Sequence, residues 1–278
     1  MTTLSITSLT SADFPSLGTA FFANLTTSDV SLLTSTQVPG LTSAELGAIG
    51  TNISELGTAA LTALSSSQLA GLTTAEAAAL TTTQASALTS SEIKGLTSGA
   101  MAALTTSAVS ILTASAVSGL TSSQIAALGT GNITALTTAN LTGLSSSQLA
   151  GLTSAEAAVL TTTEVSVLTS AQIPGLSTAA INALSLAAVT QLSFAQISVL
   201  SSAQIQALST AAVPNLTTTE ISALSSTQLE ALSLPQVSLL TPTQLTYIGG
   251  ETTWTGIPFT ATQLAAMSDA QKNALFNT

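Results

Sequence analysis

The chain of 278 residues contains no cysteine and no histidine. The first absence excludes disulfides and thiolate metal sites. The second removes the commonest general base and metal ligand. Arginine is missing as well, and Lys94 and Lys272 are the only cationic side chains, set against 12 acids for a net charge of −10. So few cations leave nothing to neutralise phosphates, which excludes nucleic acid as a partner and adsorption on anionic membrane surfaces. Aromatics are scarce, at 3%. Mean hydropathy is high, at +0.58, yet no apolar run approaches the roughly 20 residues that cross a bilayer, so membrane insertion is not expected. The start, Met1-Thr-Thr-Leu-Ser-Ile6, has no basic n-region. A protein at work outside the cell or on its surface would then be exported without a cleaved N-terminal signal peptide.

What is present is leucine at a fixed interval. From Leu56 to Leu240 every eighth residue is Leu, and Ile248 closes the run. An earlier series (Leu9, Leu17, Leu25, Leu33, Leu41, Ile49) keeps the same spacing one residue out of phase. The unit is typified by Leu144-Ser-Ser-Ser-Gln-Leu-Ala-Gly151. Counted from the Leu, position 2 is nearly always Thr or Ser, with Gly57 and Gly129 as exceptions, and position 5 is usually Gln or Glu. Thr/Ser-x-x-Gln/Glu is a capping box, and the apolar residues at positions 1 and 6 are its hydrophobic staple. Pro242 at position 3 and Pro235 at position 4 fall in a first helical turn, where a missing N–H does no harm. Pro39, Pro174 and Pro214 fall at position 7, where a helix must be ending. The glycines of position 8 (Gly71, Gly95, Gly119, Gly143, Gly151, Gly175) suit left-handed C-terminal caps.

Each octad therefore starts and stops its own helical turn. One turn is unstable alone because nucleation is costly, so the turns must bury their apolar sides on one another. The predicted fold is an all-α, elongated solenoid of one-turn helices, stabilised between nearest neighbours. A β-solenoid is the alternative: Thr, Val and Ile suit strands, whereas the alanines and capping boxes do not. A continuous coiled coil is excluded by the octad period, which drifts about 80° per repeat on an α-helix. Disorder is excluded by the frequency of apolar residues.

Three regions follow: an N-terminal cap over 1–24, the octad solenoid over 25–248, and a C-terminal loop with capping repeats over 249–278. The seven-residue unit Ile49–Glu55 reads as a tightened loop. Gly249–Pro258, which holds the only Trp, reads as a turn-rich loop or hairpin, after which Phe259, Met267 and Leu275 resume the spacing. Residues 64–96 recur almost unchanged at 144–176, the mark of block duplication. Glycines at 71, 95, 119 and 143 lie 24 apart, which hints at three octads per coil.

The acids are the only candidates for catalysis. Glu45, Glu76, Glu92, Glu156, Glu164 and Glu220 all occupy position 5, where capping accounts for them. An acid–base pair needs a cleft and differing environments, and calcium needs clustered carboxylates with Gly turns; a regular series offers neither. No catalytic, cofactor or metal site is expected, and the chain does not read as an enzyme.

The Leu/Thr-rich octads resemble octapeptide arrays of the ALTxxQIxALT kind found in large secreted or surface-attached bacterial proteins, adhesin-like ones among them. The resemblance covers about residues 25–248 and resumes over 259–278. Together with the near-absence of Lys, Arg and Cys, it implies a type I-secreted protein, although the calcium-binding Gly/Asp nonapeptides usual in that class are missing. The expected role is that of a structural extracellular protein whose partner is itself, assembled head to tail into a filament or surface layer. The aromatics gather in the two end segments, so Phe14, Phe21, Phe22, Trp254, Phe259 and Phe276 are the candidate assembly contacts. The alternative is an adhesin or binding module that turns the free hydroxyls of positions 3 and 4, such as Ser146, Ser147, Thr162 and Thr163, toward a glycan, ice or a protein.

Overall fold

The computed structural model describes residues 5–250 and 256–276. Those residues form a succession of short helices with no strand. The fold is an all-helical solenoid, and the β-solenoid alternative falls away. The chain divides into two compact units, Met1–Gly151 and Leu152–Thr278, and each is built in the same way.

The octad explains each turn. In Thr82–Ala87, the Thr81 hydroxyl accepts from the Gln84 N–H, while Gln84 Oε1 accepts from the Thr81 N–H at 2.9 Å. Two of the backbone donors that every helix start leaves over are thereby met. The helix stops at Leu88, whose φ of −61° and ψ of 136° turn the chain into the next cap. The same box opens Ser122–Ala127 in the first unit and Thr162–Ser166 and Ser202–Ala207 in the second.

Positions 1, 5 and 6 point inward. Leu80, Gln84 and Ala85 are buried in one octad, and Leu200, Gln204 and Ile205 in another. Spacings of four and five residues along a helical turn put these side chains on one face. Burying each Leu or Ile is worth about 1.5–3 kcal/mol, which lets a single turn survive by stacking.

The stacking register is set by position 5. Gln84 Nε2 donates to the carbonyls of Ile53 and Leu56, both at 2.8 Å, 31 and 28 residues back. In the second unit Gln204 does the same to Ile173 (3.0 Å) and Leu176 (2.7 Å). A reach of 28 from position 5 to a position-1 Leu is four more than 24, so three octads make one coil and each octad lies on the one three before it. Asn132 and Asn140, one methylene shorter, each donate to a single carbonyl, those of Leu104 and Leu112.

Several local expectations are corrected. The position-8 glycines are not left-handed: positive φ occurs at Gly18, Gly50, Gly129 and Gly256 among the described residues. At Gly71, Gly95, Gly119 and Gly151 position 8 instead lies against the backbone of the coil beneath. A Cβ on Gly95 would stand 2.5 Å from the Ser66 carbonyl oxygen. The seven-residue unit is not a loop but the 3-10 helix Gly50–Glu55; a 3-10 turn rises further per residue than an α-turn, so seven residues span one side of the coil. Pro39, Pro174 and Pro214 do not follow a finished helix. Each sits inside a 3-10 turn, Val38–Gly40, Ile173–Gly175 or Val213–Asn215, because Pro lacks the N–H that an α-turn needs there. Gly249 and Gly250 end the nine-residue helix Pro242–Gly250 rather than opening a turn. The interruption that follows adds three residues to its coil: Gln263 reaches Leu232 across 31 residues rather than 28.

Candidate interaction surface

Because positions 1, 5 and 6 are spent inside, only the remaining positions can meet a ligand. The acids illustrate the division. Glu76, with no exposed surface, accepts from the Thr73 N–H and hydroxyl on Oε2, both at 2.8 Å, and from the Gly50 N–H on Oε1 at 3.1 Å. Glu45, Glu164 and Glu220 likewise accept from the N–H of their own cap residues, Thr42, Thr161 and Thr217, at 2.8, 2.7 and 2.6 Å. Glu156 closes the box with Thr153, and Glu92 accepts from the Thr89 N–H. These carboxylates are acceptors within a scaffold. Among the described residues no buried side-chain polar atom lacks a partner.

Two acids stand apart. Asp13 and Asp29 occupy position 5 in the first described coil. Both are exposed enough to meet water. The Thr10 hydroxyl first, then the Thr10 N–H, holds the Asp13 carboxyl below the usual carboxylate range. The Thr26 hydroxyl and N–H do the same for Asp29.

Positions 3 and 4 carry hydroxyls outward. In the first unit Thr82, Thr106 and Thr130 are exposed and lie 24 residues apart, which the three-octad coil places in one column. A methyl or glycine of one coil rests on the Thr of the coil beneath: a Cβ on Gly131 would meet Thr106 Cγ2 at 3.8 Å. Near the N-terminal end Thr7, Leu9, Leu32, Thr34, Thr36 and Gln37 line a hollow of about 220 Å³.

The expected assembly contacts divide. Phe14 and Phe22 are fully buried and meet edge to face, with ring centroids 5.3 Å apart and planes at 75°. Phe21 is half-buried and meets Phe22 at 5.3 Å and 84°. These rings fill the interior of the first coil, where Phe14 and Phe22 hold position 6 in place of Leu or Ile. Phe259 is buried as a position-1 residue, and Phe276 is 51% exposed. Trp254 lies outside the described residues.

Sequence reasoning passed over a second set of exposed apolar side chains. Phe194 is 51% exposed and Leu186 and Leu234 are also exposed, all at position 3; Ile111, Val199 and Leu239 are exposed at position 8. Their signal was available, since a large apolar residue stands where Ser, Thr, Ala or Gly is the rule. By register, Phe194 falls in a column between Ser170 below and Thr218 above.

Residues 125–162 match the ALTTAQ repeat family. No curated protein and no solved structure matches the chain. The matched stretch holds five octad leucines from Leu128 to Leu160, and the same octad recurs on both sides of it, so the repeat that the family model recognises over 125–162 runs on through the chain as an octad pattern. In its structural terms the Thr of ALTTAQ is the helix cap, the Gln closes the box and bonds the neighbouring coil, and the Leu fills the interior. No helix among the described residues is long and apolar enough to cross a membrane.

Proposed function

We propose that this ALTTAQ-type chain is a structural, non-catalytic protein of the cell exterior that acts as a binding module, presenting its Ser/Thr surface to a glycan. The observation that carries this reading is Phe194, half-exposed between the hydroxyl side chains of Ser170 and Thr218 in its column. Sugars are recognised by hydrogen bonds to their hydroxyls and by an aromatic face against their C–H face, and exposed aromatics are favoured anchors of binding surfaces. The near-absence of charge on that surface suits a neutral ligand, and the acids of position 5 are engaged as caps, which leaves none as an acid–base pair. The test is an array of neutral and acidic oligosaccharides probed with the full chain, then with Phe194→Ala. Binding to one glycan class, weakened at least tenfold by Phe194→Ala at unchanged melting temperature, supports the reading. No binding, or binding indifferent to the substitution, overturns it.

A second reading is self-assembly through the C-terminal end into a filament or layer. Phe276 and Ile257 are exposed there, at 51% and 46%. The position-6 residues Leu264 and Lys272 are half-buried, unlike the fully buried Ile205 and Leu229 at the same position. The N-terminal end supports this reading less, because Phe14 and Phe22 are enclosed. Light scattering from full-length protein and from Phe276→Ser separates the two: concentration-dependent growth that the substitution abolishes would favour assembly.

A further inference from the structure

The amides of position 5 are the hydrogen bonds that tie one coil to the next, and they are not evenly spread. In the first unit Gln68 donates to Val38 (2.8 Å) and Leu41 (2.7 Å), and Gln84 to Ile53 and Leu56. After the gap, Gln124 donates to Ile93 (2.8 Å) and Leu96 (2.6 Å), and Gln148 to Val117 (3.2 Å) and Leu120 (2.7 Å). Between Gln84 and Gln124 position 5 is Glu92, Ala100, Ala108 and Ala116. None of these side chains has an N–H to give. Three octads make a coil, so four in succession leave more than one whole circuit without an inter-coil amide. Past Asp13, Phe21 and Asp29 of the first described coil, no more than two in succession elsewhere among the described octads lack one, as at Ala180 and Ala188.

The consequence falls on named acceptors. By the 28-residue register, Glu92, Ala100, Ala108 and Ala116 lie over the carbonyls of Leu64, Leu72, Leu80 and Leu88. In the neighbouring coils the equivalent carbonyls, those of Leu56, Leu96 and Leu120, each receive an amide at 2.8 Å or less. The carbonyls of Leu64, Leu72, Leu80 and Leu88 receive no hydrogen bond from any described residue. The apolar contacts persist, with Ala100, Ala108 and Ala116 fully buried. The plane is thus held by packing alone, and its acceptors gain a partner only when water reaches them. An unmet buried carbonyl is costly, and opening the plane relieves that cost, whereas opening any other plane breaks bonds.

We propose that the first unit has a built-in plane of opening between the turns of residues 61–88 and those of residues 92–117, and that the stack parts there before it parts elsewhere. A solenoid is stabilised by the sum of its neighbour contacts, so its local opening is governed by the weakest of them. Pulling, dilution of stabilising solutes or proteolysis finds this plane first, and the coils on either side stay folded as blocks.

Hydrogen exchange on the full chain tests this. The helical amides of Met101, Val109 and Val117 bond to Thr97, Thr105 and Thr113, and those of Ile125, Leu141 and Leu149 bond to Thr121, Thr137 and Ser145, all across four residues; the first three turns carry only the hydroxyl half of the capping box and the second three the whole of it. Exchange at the first three is expected to be at least tenfold faster than at the second three. Equal or slower exchange at the first three overturns the proposal. A second variant extends the gap: Gln124→Ala with Asn132→Ala and Asn140→Ala, in which truncation of polar side chains adds no bulk. It is expected to bring Ile125 and Leu141 to the fast rate while leaving far-UV circular dichroism helical, with Leu149, whose octad keeps Gln148, the slower of the three. If exchange at Ile125 and Leu141 stays slow, the amides are not what holds the coils together and the proposal fails.

Discussion

One substitution, Glu to Gln at position 5, is expected to act with opposite sign at two octads of the first unit. At Glu92 the carboxylate uses Oε2 on the Thr89 N–H at 2.6 Å and has no hydrogen to offer the coil beneath. Glu92→Gln keeps the acceptor and adds an amide. Gln124, the first position-5 amide after the gap, places its Nε2 2.8 and 2.6 Å from two carbonyls. A net gain of about 0.5–1.5 kcal/mol per bond gives a stabilisation of about 1–3 kcal/mol for two. At Glu76 both oxygens are already used, Oε2 by Thr73 and Oε1 by the Gly50 N–H. That N–H is turned toward Glu76 by the positive φ of Gly50, 65°. Glu76→Gln leaves one oxygen for two sets of donors, so an NH2 must face an N–H in a fully buried site. Leaving one donor unmet there costs about 1–3 kcal/mol. Urea unfolding followed by circular dichroism, with exchange rates at Ala77 and Ile93 as the local readout, measures both. Changes of the same sign at the two positions would refute the claim that the coil beneath decides what position 5 must be.

Other outcomes follow from the same geometry. Leu152→Ala, in a position-1 site, is expected to cost about 2–5 kcal/mol, and Ser107→Ala, exposed at position 4, less than about 0.5 kcal/mol; equal costs in chemical denaturation would invert the inward and outward assignment. Gly95→Ala drives a Cβ to 2.5 Å from the Ser66 carbonyl oxygen and is expected to lower stability by about 1–3 kcal/mol through overpacking, so a melting temperature no lower than wild type would remove the close-approach role of position 8. The Asp13 and Asp29 carboxyls are held below their ordinary value. Such groups contribute stability above the unfolded value, about 4, and lose it as pH falls through the lower folded value. Protection over residues 10–31, taken relative to the free-peptide exchange rate at each pH, is therefore expected to fall below pH about 4, and Asp13→Asn with Asp29→Asn is expected to flatten that response; an unchanged acid response in the double variant would refute it.

Much of this architecture is local, and local facts were legible in the residues. Capping pairs a hydroxyl with an N–H three residues on, so Thr81 and Gln84 declare their own turn without reference to any neighbour. The choice of positions 1 and 6 for the interior follows in the same way from where a helical turn points its side chains. Contacts made through space were not legible. Nothing within an octad says that the Gln84 amide ends on carbonyls 28 and 31 residues away, because that depends on how many octads close a coil. The glycines show the same limit. Gly95, at position 8, and Gly50, at position 2, are needed for reasons the octad does not state: the first is required by the Ser66 backbone pressed against it, the second by a carboxylate from the next coil that needs an N–H turned toward it. Whether Phe14 and Phe22 face a partner or one another was decided by the closing of the first coil, which folds these two position-6 rings inward. The sequence carried the turn and its polarity. Which groups the turns bring face to face was settled by the coil, whose circumference is a property of the stacked whole.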